Sequence, residues 1–238
     1  MKIHTIINEL FKFLTGGSTP DKDKALIYKF LESEKSELII CIAGKTGSGK
    51  SSLINLLFAP IPPQNVHHGK PSTREPREIV YEDEDRGKFT IIDLPGFCES
   101  VEHKEKIEDY YQRFLPLADV VLWLTRVDDS ADECDQIFYR TLNPEIKSKI
   151  VFGISQLDAA RGGRWNYKSN KPSKKQIEGI YNKIMTIKDN FEIEEEGIEN
   201  KVVCFSSDRR YNIDKLVYSL TKYAKTSSKV GLKITPKI

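Results

Sequence analysis

No run of apolar residues in this sequence approaches the roughly 20 that a helix needs to cross a bilayer, so helical membrane spans are not expected. Cysteine is scarce. Cys41, Cys98, Cys134 and Cys204 stand at spacings that match neither a zinc motif nor a small disulfide framework. Cys41 and Cys204 lie inside apolar runs, where a thiol packs as a small hydrophobe. An excess of one charge is also missing. The 37 Lys and Arg against 35 Asp and Glu leave a net charge of +2, which implies a mixed-sign, solvated surface. That balance neither requires nor excludes nucleic acid. The N-terminus has one lysine ahead of an interrupted apolar pattern and does not read as a secretory signal. Together these absences make a reducing cytoplasm the expected location.

What is present suits one α/β domain: 238 residues, 39% of them apolar. Ile3, Ile6, Ile7, Leu10, Phe11 and Leu14 recur at helical spacing up to Gly16-Gly17, and Ser18-Thr19-Pro20-Asp21 caps a second helix. Residues 1–36 are therefore expected to be an N-terminal helical extension. From 38 onward, strand patterns at 38–43, 77–82, 88–93, 119–125, 149–155 and 201–206 alternate with helical patterns at 50–58, 102–115, 131–142, 173–188 and 212–225. This predicts a three-layer α/β fold, with a mostly parallel six-stranded sheet between two helical layers. The polar turn between 77–82 and 88–93 predicts one antiparallel edge strand. The Pro-rich stretch 59–72 reads as a loop. The main domain is expected over 37–226, with a basic tail at 227–238.

Strand 38–43 runs into Gly44-Lys45-Thr46-Gly47-Ser48-Gly49-Lys50-Ser51, and a helix follows. Glycines at this spacing let the backbone wrap phosphate with its amides pointing inward, and the helix N-terminus adds a favourable dipole. Gly44, Thr46, Gly47, Ser48, Gly49, Lys50, Ser51 and Ser52 are the candidate phosphate-binding residues. Lys50 is expected to reach the β- and γ-phosphates and the Ser51 hydroxyl to ligate Mg2+. The motif specifies a nucleoside triphosphate and leaves the base open.

Phe89-Thr90-Ile91-Ile92-Asp93 is an apolar strand ending in a carboxylate, the place of a second Mg2+ holder. Leu94-Pro95-Gly96 completes Asp-x-x-Gly, with the Gly96 amide expected on the γ-phosphate. Thr73 lies where a loop threonine closes over Mg2+ and that phosphate. The catalytic candidates are thus Lys50, Thr73 and Gly96, and the metal candidates Ser51, Thr73 and Asp93. His67 and His68, without acidic or thiol partners at ligand spacing, read as solvated loop residues. Strand 149–155 ends in Ser155-Gln156-Leu157-Asp158. A carboxylate there can accept from guanine N1 and its 2-amino group, donors that adenine lacks. The Gln156 stem is expected along the base, and Ser206 and Ser207 end the last strand, with the Ser207 amide facing guanine O6. The expected ligands are GTP/GDP with Mg2+.

In this order the elements resemble the Ras-like G domain over roughly 38–225. More finely, the chain resembles the Era-like branch of bacterial GTPases, in particular its short 50S-ribosome-binding or prophage-associated members. The residues that carry this are Gly-Lys-Ser-Ser-Leu-Ile-Asn at 49–55, Ser-Thr-Arg at 72–74, Asp-Leu-Pro-Gly at 93–96, Ala-Asp-Val-Val-Leu-Trp-Leu at 118–124, Asp128-Asp129, Phe138-Tyr139-Arg140, and Ser-Gln-Leu-Asp at 155–158. The resemblance implies a molecular switch that hydrolyses GTP slowly to GDP and phosphate.

The departures from the family pattern qualify that expectation. The family's Asn-Lys-x-Asp is Ser155-Gln156-Leu157-Asp158 here, so its Asn bridge to the phosphate loop and its Lys stack are expected to be weakened. Phe97 stands where a Ras-type enzyme has a water-orienting Gln. Gly47 stands where some relatives hold potassium with an Asn. Slow intrinsic hydrolysis, accelerated by a partner or by self-association, follows from both. Arg74 and Arg126 are the candidates for an arginine finger.

Residues 159–172 interleave Arg161, Arg164, Lys168 and Lys171 with Trp165 and Tyr167. That pattern suits stacking on RNA bases, and equally a surface loop whose aromatics pack back on the domain. RNA or the ribosome is one expected partner, a GTP-dependent dimer another. The alternative function is a nucleotide-dependent self-assembling scaffold, septin- or dynamin-like, with weak or no hydrolysis; the amphipathic helix 1–14 fits it.

Overall fold

A computed structural model describes residues 38–58, 65–67, 75–83, 87–97, 104–129 and 133–228. The expected extension 1–36 lies outside them, as do residues 229–238 of the expected tail and Thr73, Ser72, Arg74 and His68. The strands are β1 (Leu38–Gly44), β2 (Asn65–His67), β3 (Arg77–Asp83), β4 (Gly87–Asp93), β5 (Val120–Arg126), β6 (Ile150–Ser155) and β7 (Val202–Cys204). The helices are α1 (Lys50–Phe58), α2 (Lys104–Phe114), α3 (Glu133–Thr141), α4 (Pro144–Lys149), α5 (Lys174–Asn190), α6 (Ile198–Lys201) and α7 (Ile213–Ser228).

The strands form one sheet in the order β2-β3-β4-β1-β5-β6-β7. β4, β1, β5, β6 and β7 run parallel, and β3 runs antiparallel to β4. All six expected strands are present. The three-residue β2 pairs antiparallel with β3 and adds an outer edge inside the stretch that reads as a loop.

The central strands are apolar throughout because both faces of the sheet are covered. Side chains alternate between the faces. Cys41, Ala43, Val121, Trp123, Phe152 and Ile154 pack toward α2, α3 and α5. Ile40, Ile42, Leu122, Leu124 and Val151 pack toward α1 and α7. Helix α5 begins with a reciprocal cap between Ser173 and Gln176. The short α4 begins at Asn143, whose Oδ1 accepts from Ile146 N at 2.8 Å. Cys41 and Cys204 are free and fully buried, as their apolar surroundings predict. Cys134, on α3, is disulfide-bonded, a bridge that the cysteine spacing does not announce. Among the described residues no helix is long and apolar enough to cross a membrane.

β1 lies between β4 and β5, the point at which the strand order reverses. The loops leaving the C-terminal ends of β1, β4, β5 and β6 therefore converge, and a crevice at such a reversal is where open α/β sheets bind ligands.

Candidate nucleotide-binding site

The phosphate loop leaves β1 at Gly44, with φ +126°. A Cβ there would stand 2.2 Å from the Leu124 carbonyl oxygen of β5, so only glycine lets the loop start this close to its neighbour. The loop turns back into α1 through Gly47 (φ +78°) and Gly49 (φ +90°). Lys50 folds across it, Nζ donating to the carbonyls of Gly44 at 2.8 Å and Lys45 at 2.9 Å. Thr46, Gly47, Ser51 and Ser52 are exposed or nearly so, whereas Ser48 is fully buried and its Oγ has no hydrogen-bond partner.

Asp93 ends β4 directly beside Ile42 of β1. Its Oδ1 is buried without a hydrogen-bond partner. Burial raises its carboxyl above the usual range, against the opposing pull of Lys50 and Arg77. A buried, unpartnered carboxylate oxygen near a lysine of the phosphate loop fits the needs of a magnesium–phosphate group. Leu94 N donates to Ile42 O at 3.0 Å, which fixes the Asp-Leu-Pro-Gly turn against β1.

Tyr111 of α2 joins this turn to the phosphate loop. Its buried hydroxyl accepts from Gly44 N at 3.2 Å and donates to Pro95 O at 3.0 Å. Gly96 and Phe97 are buried, and the Phe97 ring packs on Tyr111 and Phe138 with centroids 5.2 and 4.5 Å away. The position where a water-orienting Gln would stand thus belongs to the core. Of the two arginine candidates, Arg126 is paired with Asp128 through bonds of 2.9 and 2.7 Å, and this partner holds Asp128 below the usual carboxylate range.

Two charged groups near the loop escape sequence reading. Asp135 on α3 is buried, its Oδ1 without a hydrogen-bond partner. Burial pushes its carboxyl up to about 6, while Lys45, Lys183 and Lys50 pull it down and Asp129 pushes it further up. Lys183 on α5 is buried too and donates to the Asp129 carbonyl.

At the base-reading end, Ser155 Oγ donates to Ser48 O at 2.7 Å. Gln156, in a left-handed conformation, donates from Nε2 to Gly47 O at 2.9 Å. The expectation of a weakened bridge is therefore corrected: Ser155 and Gln156 both tie the strand end to the phosphate loop. A serine can do this because its hydroxyl lies within reach of the Ser48 carbonyl. The Gln156 amide is engaged by the loop.

Asp158 sits in a single 3₁₀ turn, Leu157–Ala159. Its carbonyl and that of Ala160 accept from Gln176 Nε2 at 3.2 and 3.1 Å. Its Oδ1 accepts from Ser206 Oγ at 2.5 Å, and Arg209 Nε faces Oδ2 at 3.8 Å. The loop carrying Ser206 and Ser207 closes on itself through paired backbone bonds between Ser206 and Tyr211. It is anchored by Asn212 Nδ2 on Cys204 O at 2.9 Å.

Trp165 is buried, its ring perpendicular to Tyr211 at 5.1 Å and its indole nitrogen donating to Asn170 Oδ1 at 3.1 Å. Of the two expectations for this insert, Trp165 follows the packed one and offers no face for a base. Tyr167 remains 70% exposed. Hydrogen bonds link Ser155 and Gln156 to the phosphate loop and Ser206 to Asp158; Thr73 lies outside the described residues.

Residues 39–155 match the family model described as 50S ribosome-binding GTPase. The uncharacterized protein YkfA of Escherichia coli (strain K12) is 43% identical over 126 residues, 52% of this chain and 43% of that protein. The chain thus spans less than half the length of that relative. Toc33 from Arabidopsis thaliana, in complex with Mg2+ and GMPPNP, superposes with a TM-score of 0.58 at 20% identity, over 90% of this chain and 95% of that one. Era in complex with MgGDPNP and nucleotides 1506–1542 of 16S ribosomal RNA superposes with a TM-score of 0.54 at 20% identity, over 80% and 57%. These two likenesses speak for the fold. The family match, the strand order and the loops gathered at the reversal point agree that residues 39–155 belong to a Ras-like P-loop GTPase domain that matches the 50S ribosome-binding GTPase family.

Proposed function

We propose that the domain binds GTP with Mg2+ and hydrolyses it slowly to GDP and phosphate, acting as a switch between the two nucleotide states. The observation that carries this is the double tie from Ser155 and Gln156 to the carbonyls of Ser48 and Gly47. It makes the phosphate loop and the turn bearing Asp158 one hydrogen-bonded unit. Within it, the loop amides and Lys50 would hold the phosphates, and the Gly96 amide would report the terminal one. Asp158, oriented by Ser206, would accept from guanine N1 and the 2-amino group, with the Ser207 amide on O6. Ser51 and Asp93, together with Thr73, would hold Mg2+, which when bound neutralises phosphate charge. The direct tie to the loop favours tighter guanine-nucleotide binding than the substituted motif alone implies.

Slow turnover is supported by the burial of Phe97 and by the pairing of Arg126 with Asp128. Acceleration would then come from outside these residues. For chloroplast translocon components including Toc33, dimerisation is important for the GTPase activity. A GTP-dependent dimer is the corresponding proposal here, and contact with ribosomal RNA would have to use surfaces other than Trp165. Titration calorimetry with GTP and ATP tests the base assignment: a clear preference for GTP is expected, and equal affinities would overturn it. Phosphate release measured across protein concentrations tests the rate. A slow rate that rises with concentration is expected, and a fast, concentration-independent one refutes the slow-switch reading.

A further inference from the structure

Asp158 can read guanine only if both of its oxygens lie near the plane of the base, and a carboxylate rotates easily about its last side-chain bond. The Ser206 hydroxyl restrains Oδ1 alone. The other half of the carboxylate faces Arg209, whose Nε stands 3.8 Å from Oδ2. That separation is too long for a hydrogen bond. The pair is therefore a Coulombic one that steers Oδ2 while leaving its acceptor sites open to a ligand's donor. Arg209 Nε is itself buried and makes no hydrogen bond, so something else must set the position of the guanidinium.

That support comes from the insert 159–172, about 40 residues away in sequence. The guanidinium lies over the Tyr167 ring, 4.7 Å from its centroid, a cation–π distance. Asn170 Nδ2 donates to the Arg209 carbonyl at 3.0 Å. Asn170 is in turn held by the indole of Trp165, which is buried against Tyr211. On the other side the Arg209 amide donates to Ser206 Oγ at 3.2 Å, the same hydroxyl that donates to Asp158. The insert and the 206–211 loop therefore brace one another around Arg209. The arrangement also explains why a large aromatic, Tyr167, is left mostly in water: its ring serves the cation rather than the core.

We infer that Arg209, held by Tyr167 and Asn170, is a positioning residue for base recognition that fixes the Oδ2 side of Asp158 against the guanine 2-amino group. The inference rests on the guanine reading above. It makes the insert a part of base selection, and it assigns no contact of its own with the phosphates.

The test is the ratio of affinities for GDP and IDP, whose hypoxanthine lacks the 2-amino group, measured on the full chain by calorimetry with melting curves for every variant. The parent is expected to prefer GDP. Arg209→Ala is expected to lower that preference roughly threefold to tenfold, the size of a partial loss of one charge-assisted hydrogen bond. Arg209→Lys, which keeps the charge, should recover part of it. Tyr167→Ala should lower the ratio less, and Tyr167→Phe, which keeps the ring, should leave it near the parent value. A purely structural role would weaken GDP and IDP alike and leave the ratio unchanged, which would overturn the inference. If Arg209→Ala fails to fold, the solvent-exposed Tyr167→Ala decides on the same ratio. A parent that binds GDP, IDP and ADP equally would sink the guanine reading itself, a different result from a selective parent whose ratio ignores Arg209.

Discussion

At the base-reading end Ser155, Gln156, Asp158 and Ser206 each have a hydrogen-bond partner, whereas at the phosphate end the buried Asp93 Oδ1 and Ser48 Oγ have none and Lys50 turns onto backbone carbonyls. The two ends apply different physics. Choosing among bases depends on a geometry fixed before the ligand arrives, which partnered side chains supply. Gripping phosphate depends on a field from amides, a lysine and a metal-binding carboxylate, and such groups keep their polarity for the ligand.

Variants at each end sharpen or break this contrast. Lys50→Ala removes a side-chain cation folded over the loop, and should lower GTP and GDP affinity about 100-fold or more by calorimetry, the value of one or two hydrogen bonds to a charged group. A loss of less than about tenfold would mean that the loop amides alone carry the phosphate. Tyr111→Phe strands the buried Gly44 amide and Pro95 carbonyl, and should cost about 2–4 kcal/mol in urea unfolding.

Asp135→Asn probes the charge beneath the loop. The carboxyl of Asp135 is raised from 3.8 to about 6, so between those values the folded state holds a proton that the unfolded state has released. Stability from this group is therefore full below about pH 4 and lost as pH rises through about 6. The amide variant escapes that loss, and should be about 2–3 kcal/mol more stable than the parent at pH 7 and no more stable at pH 4, the attraction of Lys45 and Lys183 being already contained in the shift. A gain that is equal at both pH values would show that the charge is not the cause. Ser155→Ala, at the other end, should cost about 1 kcal/mol of stability and weaken GDP binding about fivefold, because only one of the two ties to the loop is cut. An unchanged affinity would uncouple the two ends.

The fold was legible where periodicity and punctuation agree. The apolar runs that become β1, β5 and β6 are buried on both faces, and the bounds of these strands and of β4 move by a residue or less. Helix α4 carries a cap and a proline at its start, yet six residues are too few to display a helical period. β2 lies among prolines that read as loop. In the site, loop glycines and strand-ending aspartates announce themselves because their spacing is local. The Ser155 tie was missed because it depends on how near the Ser48 carbonyl approaches, a quantity of the folded backbone. Trp165 shows the same limit, since an aromatic among cations reads alike whether it stacks outward or packs inward. Tyr111, Asp135, Gln176 and Arg209 reach the site from distant elements, and no local pattern marks them.

One hydroxyl, that of Tyr111, accepts from Gly44 and donates to Pro95, so two segments with separate chemical duties share a single proton and its lone pairs. Each of these bonds polarises the other. Any displacement of Pro95 is thereby felt at the first residue of the phosphate loop, and reciprocity requires the converse in equal measure. Affinity for the ligand and the posture of the Asp-Leu-Pro-Gly turn are then two readings of one equilibrium.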